Sequence, residues 1–275
     1  MQSDLNMTTT KGGGFKDYNK QHKLFDMRQI TIFFLLLTSA LITVSQDINI
    51  VEVVRQADEK FRGSSSIGEL TMIIERPSWS RTVSMKNWTL GNDYSLIYIT
   101  EPAKEKGQVF LKRDKEMWNW VPNIERMIKI PPSMMMQSWM GSDFTNDDLV
   151  KESSMTDDYD QKLLGEEKID DYTCYKIELI PHDDAAVVWG KVIMWISKKD
   201  LLWLKAEFYD EDENLVNTEI LSDVKKMDDR VMPTRLEMIP ADEEGNKTIM
   251  IFNKIVFNVK IDESFFSQQN MKRIR

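Results

Sequence analysis

The residues best suited to chemistry are scarce in this chain. Among 275 residues there is one cysteine, Cys174, and two histidines, His22 and His182. A lone thiol forms no intramolecular disulfide and excludes zinc sites built on several thiolates. One histidine in the body of the chain gives no His-rich metal site, and no cofactor is expected. A Ser-His-Asp arrangement would have to use His182, but Pro181-His182-Asp183-Asp184 follows a strand and reads as an exposed turn. There is no glycine-rich phosphate loop. Paired carboxylates could carry acid–base catalysis. They are abundant in Asp210-Glu211-Asp212-Glu213-Asn214 and Asp242-Glu243-Glu244-Gly245-Asn246, which also have the composition of solvated hairpin tips. The expectation is a protein that is not an enzyme.

What the chain has in quantity is large, soft apolar side chains: 18 Met, 8 Trp and 12 Phe. Met134, Met135, Met136, Trp139 and Met140 crowd together, with Phe144 just beyond, in a segment (131–153) that opens on Pro131-Pro132 and contains Gly141. Methionine is unbranched and polarizable, so it suits a surface that adapts to different apolar guests. The same residues could simply fill a core. Two readings of this cluster therefore stand, a mobile apolar lid and an ordinary core.

These residues must be positioned by the surrounding elements. Residues 1–29 are polar, and 30–44 (ITIFFLLLTSALITV) are apolar and uncharged, preceded by Arg28 and followed by Ser45. That run has the length of a signal-peptide core and is short for a membrane span of roughly 20 residues. We expect residues 1–45 to be a leader with cleavage after Ser45, Met27 to be a candidate true start, and 46–275 to be one exported domain. Ile50, Val53, Val54, Ala57 and Phe61 follow helical spacing, closed by Gly63.

Beyond that helix the period is two. Leu70, Met72 and Ile74 form one set, Tyr94, Leu96 and Tyr98 a second, and Tyr175, Ile177 and Leu179 a third. Leu202, Leu204, Ala206 and Phe208 form another, and Ile249, Ile251, Ile255 and Phe257 the last. Repeated alternation, with polar turns such as Gly91-Asn92-Asp93 between runs, predicts an antiparallel sheet. Thr145 is a candidate N-cap for a short helix over 143–149, and a second helical turn is expected over 262–268. Ile97 and Ile99 oppose Leu96 and Tyr98, so several strands are apolar on both faces. One face can pack on helices; the other must be buried elsewhere or meet a ligand. The formal net charge of −9 argues against nucleic acid, because phosphate binding needs clustered Lys and Arg.

The order of features resembles the LolA-like family of outer-membrane lipoprotein-sorting carriers, in particular a branch found beside export transporters. The likeness covers roughly 47–275. It rests on the opening helix followed by SSSIGELTMIIERP, on the aromatic strand Met117-Trp118-Asn119-Trp120-Val121 leading to Pro122-Asn123-Ile124-Glu125-Arg126, and on SWMGSDFTNDDLV. It implies a β-dominated α+β fold: a strongly curved antiparallel half-barrel closed by a few helices, with acyl chains on the concave face. The family's basic residue with a proline before the strand equivalent to 94–100 is replaced here by Leu90-Gly91-Asn92-Asp93.

On that basis the expected ligand-binding residues are Leu96, Tyr98, Phe110, Trp118 and Trp120 as cavity wall, and Met134, Met135, Met136, Trp139, Met140 and Phe144 as lid. The expected function is a periplasmic carrier of lipid or lipoprotein acyl chains to the outer membrane, acting as a monomer. Its partners would be an inner-membrane transporter and an outer-membrane acceptor. The alternatives are a non-enzymatic sensor or accessory module of an export transporter, and a lipid hydrolase, for which no polar constellation is visible.

Overall fold

In the computed structural model, residues 48–146, 148, 155–183, 185, 187 and 189–274 are described. The expected leader and its apolar run lie outside them. Among the described residues no helix is long and apolar enough to cross a membrane.

The first helix, α1 (Ile50–Arg62), forms where the spacing places it. Asn49 caps its N-terminus by accepting from the Glu52 amide at 3.2 Å, and Val54 and Ala57 are its buried residues. Gly63, at φ 70°, ends it in a conformation that costs an L side chain energy. Arg230 donates to the Glu59 and Lys60 carbonyls at 3.2 Å each, placing a cation at the negative end of the helix dipole.

Thirteen strands follow: β1 (Ser65–Arg76), β2 (Trp79–Leu90), β3 (Tyr94–Glu101), β4 (Val109–Arg113), β5 (Glu116–Val121), β6 (Arg126–Lys129), β7 (Tyr159–Ile169), β8 (Tyr172–Pro181), β9 (Lys191–Ser197), β10 (Trp203–Tyr209), β11 (Leu215–Met227), β12 (Arg230–Pro240) and β13 (Lys247–Phe257). They make one sheet in the order β6-β5-β4-β3-β2-β1-β13-β12-β11-β10-β9-β8-β7. Every recorded pairing is antiparallel. Two meanders therefore meet where β1 pairs with β13. Among the described residues the ladder does not close: β6 and β7 are its edges. One open, wholly antiparallel sheet with few helices matches the expected fold class.

Both faces of the sheet are apolar, as the opposed isoleucines imply. Against α1, one face presents Ile177, Leu179, Val192, Met194, Trp203, Ala206, Phe208, Leu221, Leu236 and Met238. Further along the same face, Leu70, Met72, Ile74, Ile99, Phe110 and Met117 meet the 131–146 segment. On the back face Leu96, Tyr98, Val109 and Leu111 are sealed by Phe266 and Met271 of the C-terminal segment. That segment carries a 3-10 turn, Glu263–Phe265, and the short helix α2 (Gln268–Met271), close to the helical turn expected over 262–268.

Two of the period-two sets cross from one face to the other. A register shift between Trp203 and Lys205 puts Leu202 and Leu204 on the back face and Trp203, Ala206 and Phe208 on the helix face. A shift opposite Glu69/Leu70 takes up Asn253, so Ile255 and Phe257 turn toward Phe61 on the helix face, while Ile249 and Ile251 alternate with Met250 and Phe252 there. An inserted residue exchanges the faces of everything beyond it.

Candidate ligand cavity

An apolar cavity of about 300 Å³ lies between α1, the 131–148 region and the inward side of β7 to β13. That is the lower end of the size range of small-ligand sites. Its walls are Phe61 from α1, Phe144, Met155, Leu179, Trp189, Val192, Trp203, Phe208, Leu236, Met238 and Met250. The aromatic part is held by ring contacts: Phe61 meets Trp203 at 5.9 Å and Phe252 at 5.5 Å edge-on, and Trp189 meets Phe208 at 5.1 Å in a tilted pair. The polar lining is Arg62, Asp148, Tyr159 and Glu219. Arg62 is engaged by Asp58 at 2.8 Å. Glu219 is 7% exposed, and burial and the nearby Asp148 charge push its carboxyl up to about 8.

The expected site residues are divided by the structure. Phe144 lines the cavity. Phe110 points to the same face of the sheet but sits in the neighbouring cluster, under Trp139 at 5.4 Å between ring centroids. Leu96, Tyr98, Trp118 and Trp120 lie on the back face among Phe265, Phe266 and Met271, so the structure places them away from this cavity. Phe110, expected on the same wall, stands opposite Ile97 and so faces the other way. On two-sided apolar strands, alternation does not say which group faces the helices.

The 131–146 segment is neither a loose flap nor a plain core element. Met134 and Met136 are exposed, and Met135 and Met140 are partly buried. Trp139, only 1% exposed, is driven into the cluster around Phe110. Backbone bonds close the segment on itself: the Trp139 amide donates to the Phe144 carbonyl at 2.7 Å, and the Asn146 amide to the Gln137 carbonyl at 2.9 Å. Thr145 does act as a cap. Its hydroxyl accepts from the Asp148 amide at 3.0 Å, and the Asp148 carboxylate accepts from the Thr145 amide at 2.7 Å. The rest of the helix expected over 143–149 lies partly outside the described residues.

Arginines do fasten this segment, although none stands in the turn before β3. Arg76 pairs with Asp143 at 2.9 Å and donates to the Gly141 carbonyl, and Arg81 donates to the Met140 carbonyl. Thr248 completes the set, donating to the Asp143 carboxylate at 2.7 Å and accepting from the Asp143 amide at 2.9 Å. Arg76 continues the inward series Leu70, Met72, Ile74 at spacing two, a signal that the sequence carried. Glu219 was harder to see. It shares a face with buried Leu221, but β11 is otherwise too polar for its inward side to be recognised.

An open antiparallel sheet with a long helix over one apolar face is LolA-like architecture. Three solved structures share it along nearly their whole lengths. A DUF1329-family protein from Desulfovibrio piger is 26% identical with a TM-score of 0.73, covering 80% of this chain and 97% of that one. A LolA-superfamily protein from Nitrosomonas europaea is 25% identical with a TM-score of 0.68, covering 80% and 97%. A domain from Vibrio parahaemolyticus named for outer-membrane lipoprotein sorting is 24% identical with a TM-score of 0.71, covering 81% and 98%, and shows the fold alone. Comparison by sequence with curated proteins finds no match. A family model described as an uncharacterized protein matches residues 91–273; the chain belongs to that family, and its strong structural neighbours are LolA-superfamily and DUF1329-family proteins.

Proposed function

We propose that this chain is a periplasmic carrier that holds the acyl chain of a lipid or lipoprotein in the cavity beneath α1 and hands it on toward the outer membrane, without catalysis. The observation that carries this reading is the apolar cavity of about 300 Å³ between helix and sheet, in a chain of the LolA-like family. Each methylene moved from water into such a space contributes about 0.8 kcal/mol, so even part of an acyl chain is held firmly. The methionines Met155, Met238 and Met250 in the wall adapt to chains of different shape.

In this reading residues 1–45 are the export leader, and 46–275 the carrier domain. The 131–146 segment is the cover, and Phe144 is the residue through which the cover reaches the cargo. Trp139, seated on Phe110, marks a second region into which the cavity would extend if the cover lifted. An inner-membrane transporter and an outer-membrane acceptor would be the donor and recipient.

The test is saturable binding of a fluorescent fatty acid by the purified domain, beside a Met250→Trp variant whose indole fills part of the cavity. Met250 is only half-buried, so the variant should fold, which a thermal melt verifies. Wild type should bind, and the folded variant at least about tenfold more weakly. No saturable binding by wild type, or equal binding by the folded variant, would refute the carrier reading.

A further inference from the structure

Two buried polar groups in the cavity have no hydrogen-bond partner among the described residues, and acyl-chain burial alone does not account for them. Glu219 is 7% exposed and Trp203 9% exposed. The Glu219 Oε2 atom and the Trp203 indole nitrogen make no hydrogen bond among the described residues. Both residues line the cavity. In the ladder Glu219 stands between Ala206 of β10 and Met238 of β12, neither of which offers a side-chain partner. Unpaired groups of this kind are exceptions in native folds, and two in one apolar chamber point to a ligand that completes them.

We propose that the cavity recognises its cargo by an acyl carbonyl oxygen, met by the Trp203 indole and the Glu219 carboxyl, so that the ligand is an acyl ester or amide rather than a bare hydrocarbon. This rests on the carrier reading and narrows its ligand. The chemistry follows from the donor inventory. An indole nitrogen only donates. A carboxyl pushed up to about 8 by burial and by Asp148 is the neutral acid at pH 7, and its O–H donates as well. The charged groups around it are Arg62 from α1, engaged by Asp58, and Asp148 from the 131–148 region, with Tyr159 of β7 on the same wall. Two donors in an apolar space call for an acceptor. A carbonyl supplies one without bringing a charge into the cavity, while a cationic head would leave the indole N–H facing a positive charge.

Three single-chain probes with the same phosphocholine head and 16-carbon chain separate the outcomes: ester-linked, amide-linked and ether-linked, each below its micelle concentration. Wild type at pH 6 should bind the ester about tenfold more tightly than the ether, which has no carbonyl. Binding of the amide alongside the ester assigns recognition to any acyl carbonyl. Binding of the amide only as weakly as the ether would overturn recognition through the carbonyl, because an amide oxygen is the stronger acceptor. Raising the pH to 9.5 ionises Glu219 and should abolish the preference in wild type. Glu219→Gln, which keeps a donor, should hold the preference at both pH values. Equal affinity of wild type for ester and ether overturns this proposal while leaving the carrier reading intact. Failure to bind any probe overturns both.

Discussion

The Glu219→Gln variant should gain stability relative to wild type as pH rises through neutrality. A glutamate carboxyl free in the unfolded chain titrates near 4.5, whereas burial holds that of Glu219 at about 8. Between those values the folded state binds a proton that the unfolded state does not, so wild-type stability falls as pH rises. The contribution of the acid form is complete below about pH 4.5 and is lost by about pH 8. Each unit is worth about 1.36 kcal/mol, so from pH 4.5 to pH 7 the wild type loses about 3 kcal/mol relative to a side chain that does not titrate. For a domain of this size that is roughly 6 to 12 °C in melting temperature. Glutamine keeps the shape and removes the ionisation, and any constant cost of its buried amide cancels in the comparison between pH values. The assay is denaturant unfolding of both proteins from pH 4.5 to 8. The gap between the two stability curves should be constant at the acid end and move in favour of glutamine above it. Parallel curves would show that the Glu219 carboxyl is solvated or paired, and the reasoning would fail.

Two further outcomes test the packing around the cavity. Arg76→Ala leaves Asp143, whose side chain is 7% exposed, without its cation, a loss of about 3 to 5 kcal/mol for a buried pair. Hydrogen exchange should then quicken at the Trp139 and Ser142 amides and stay slow in β8 and β9; a uniform change across the sheet would contradict a local tether. Cys174 is fully buried and burial pushes its thiol up, so an aromatic disulfide reagent at pH 8 should label it only after unfolding. Rapid labelling of the native protein would contradict the packing of the back face.

The helix and the strand rhythm were readable because each has a short period and a clear stop. Asn49 and Gly63 bracket α1, and the hairpin at Gly91-Asn92-Asp93 fixes where β2 ends. Facing was not readable. Leu96 and Ile97 are equally apolar, and the choice between them is made by Phe266 and Met271, some 170 residues later. The bulges at Trp203/Lys205 and Glu69/Leu70 carry no marker in sequence, yet they decide that Trp203 and Phe257 turn toward the helix. The crowding around Met135 set the segment apart from the strand rhythm. It could not show that Trp139 is its anchor, because a buried and an exposed tryptophan look the same in sequence. Glu219 escaped notice for a related reason: a carboxylate in a polar strand is unremarkable until its neighbours are known to be Ala206 and Met238.

The sheet's two unpaired borders have a consequence for how such a molecule behaves in a crowded compartment. An unpaired strand is a template for the backbone of another chain. Here one border is the four-residue β6, whose ends are Arg126 and Lys129. The other, β7, is interrupted by a bulge between Leu163 and Gly165 and carries Lys162, Glu166, Glu167 and Lys168. Shortness on one side, and a kink with mixed charge on the other, both discourage edge-to-edge growth. A chain with apolar side chains on both faces of a long open sheet has more to lose from fibre formation than most, and its borders are the cheapest places to prevent it.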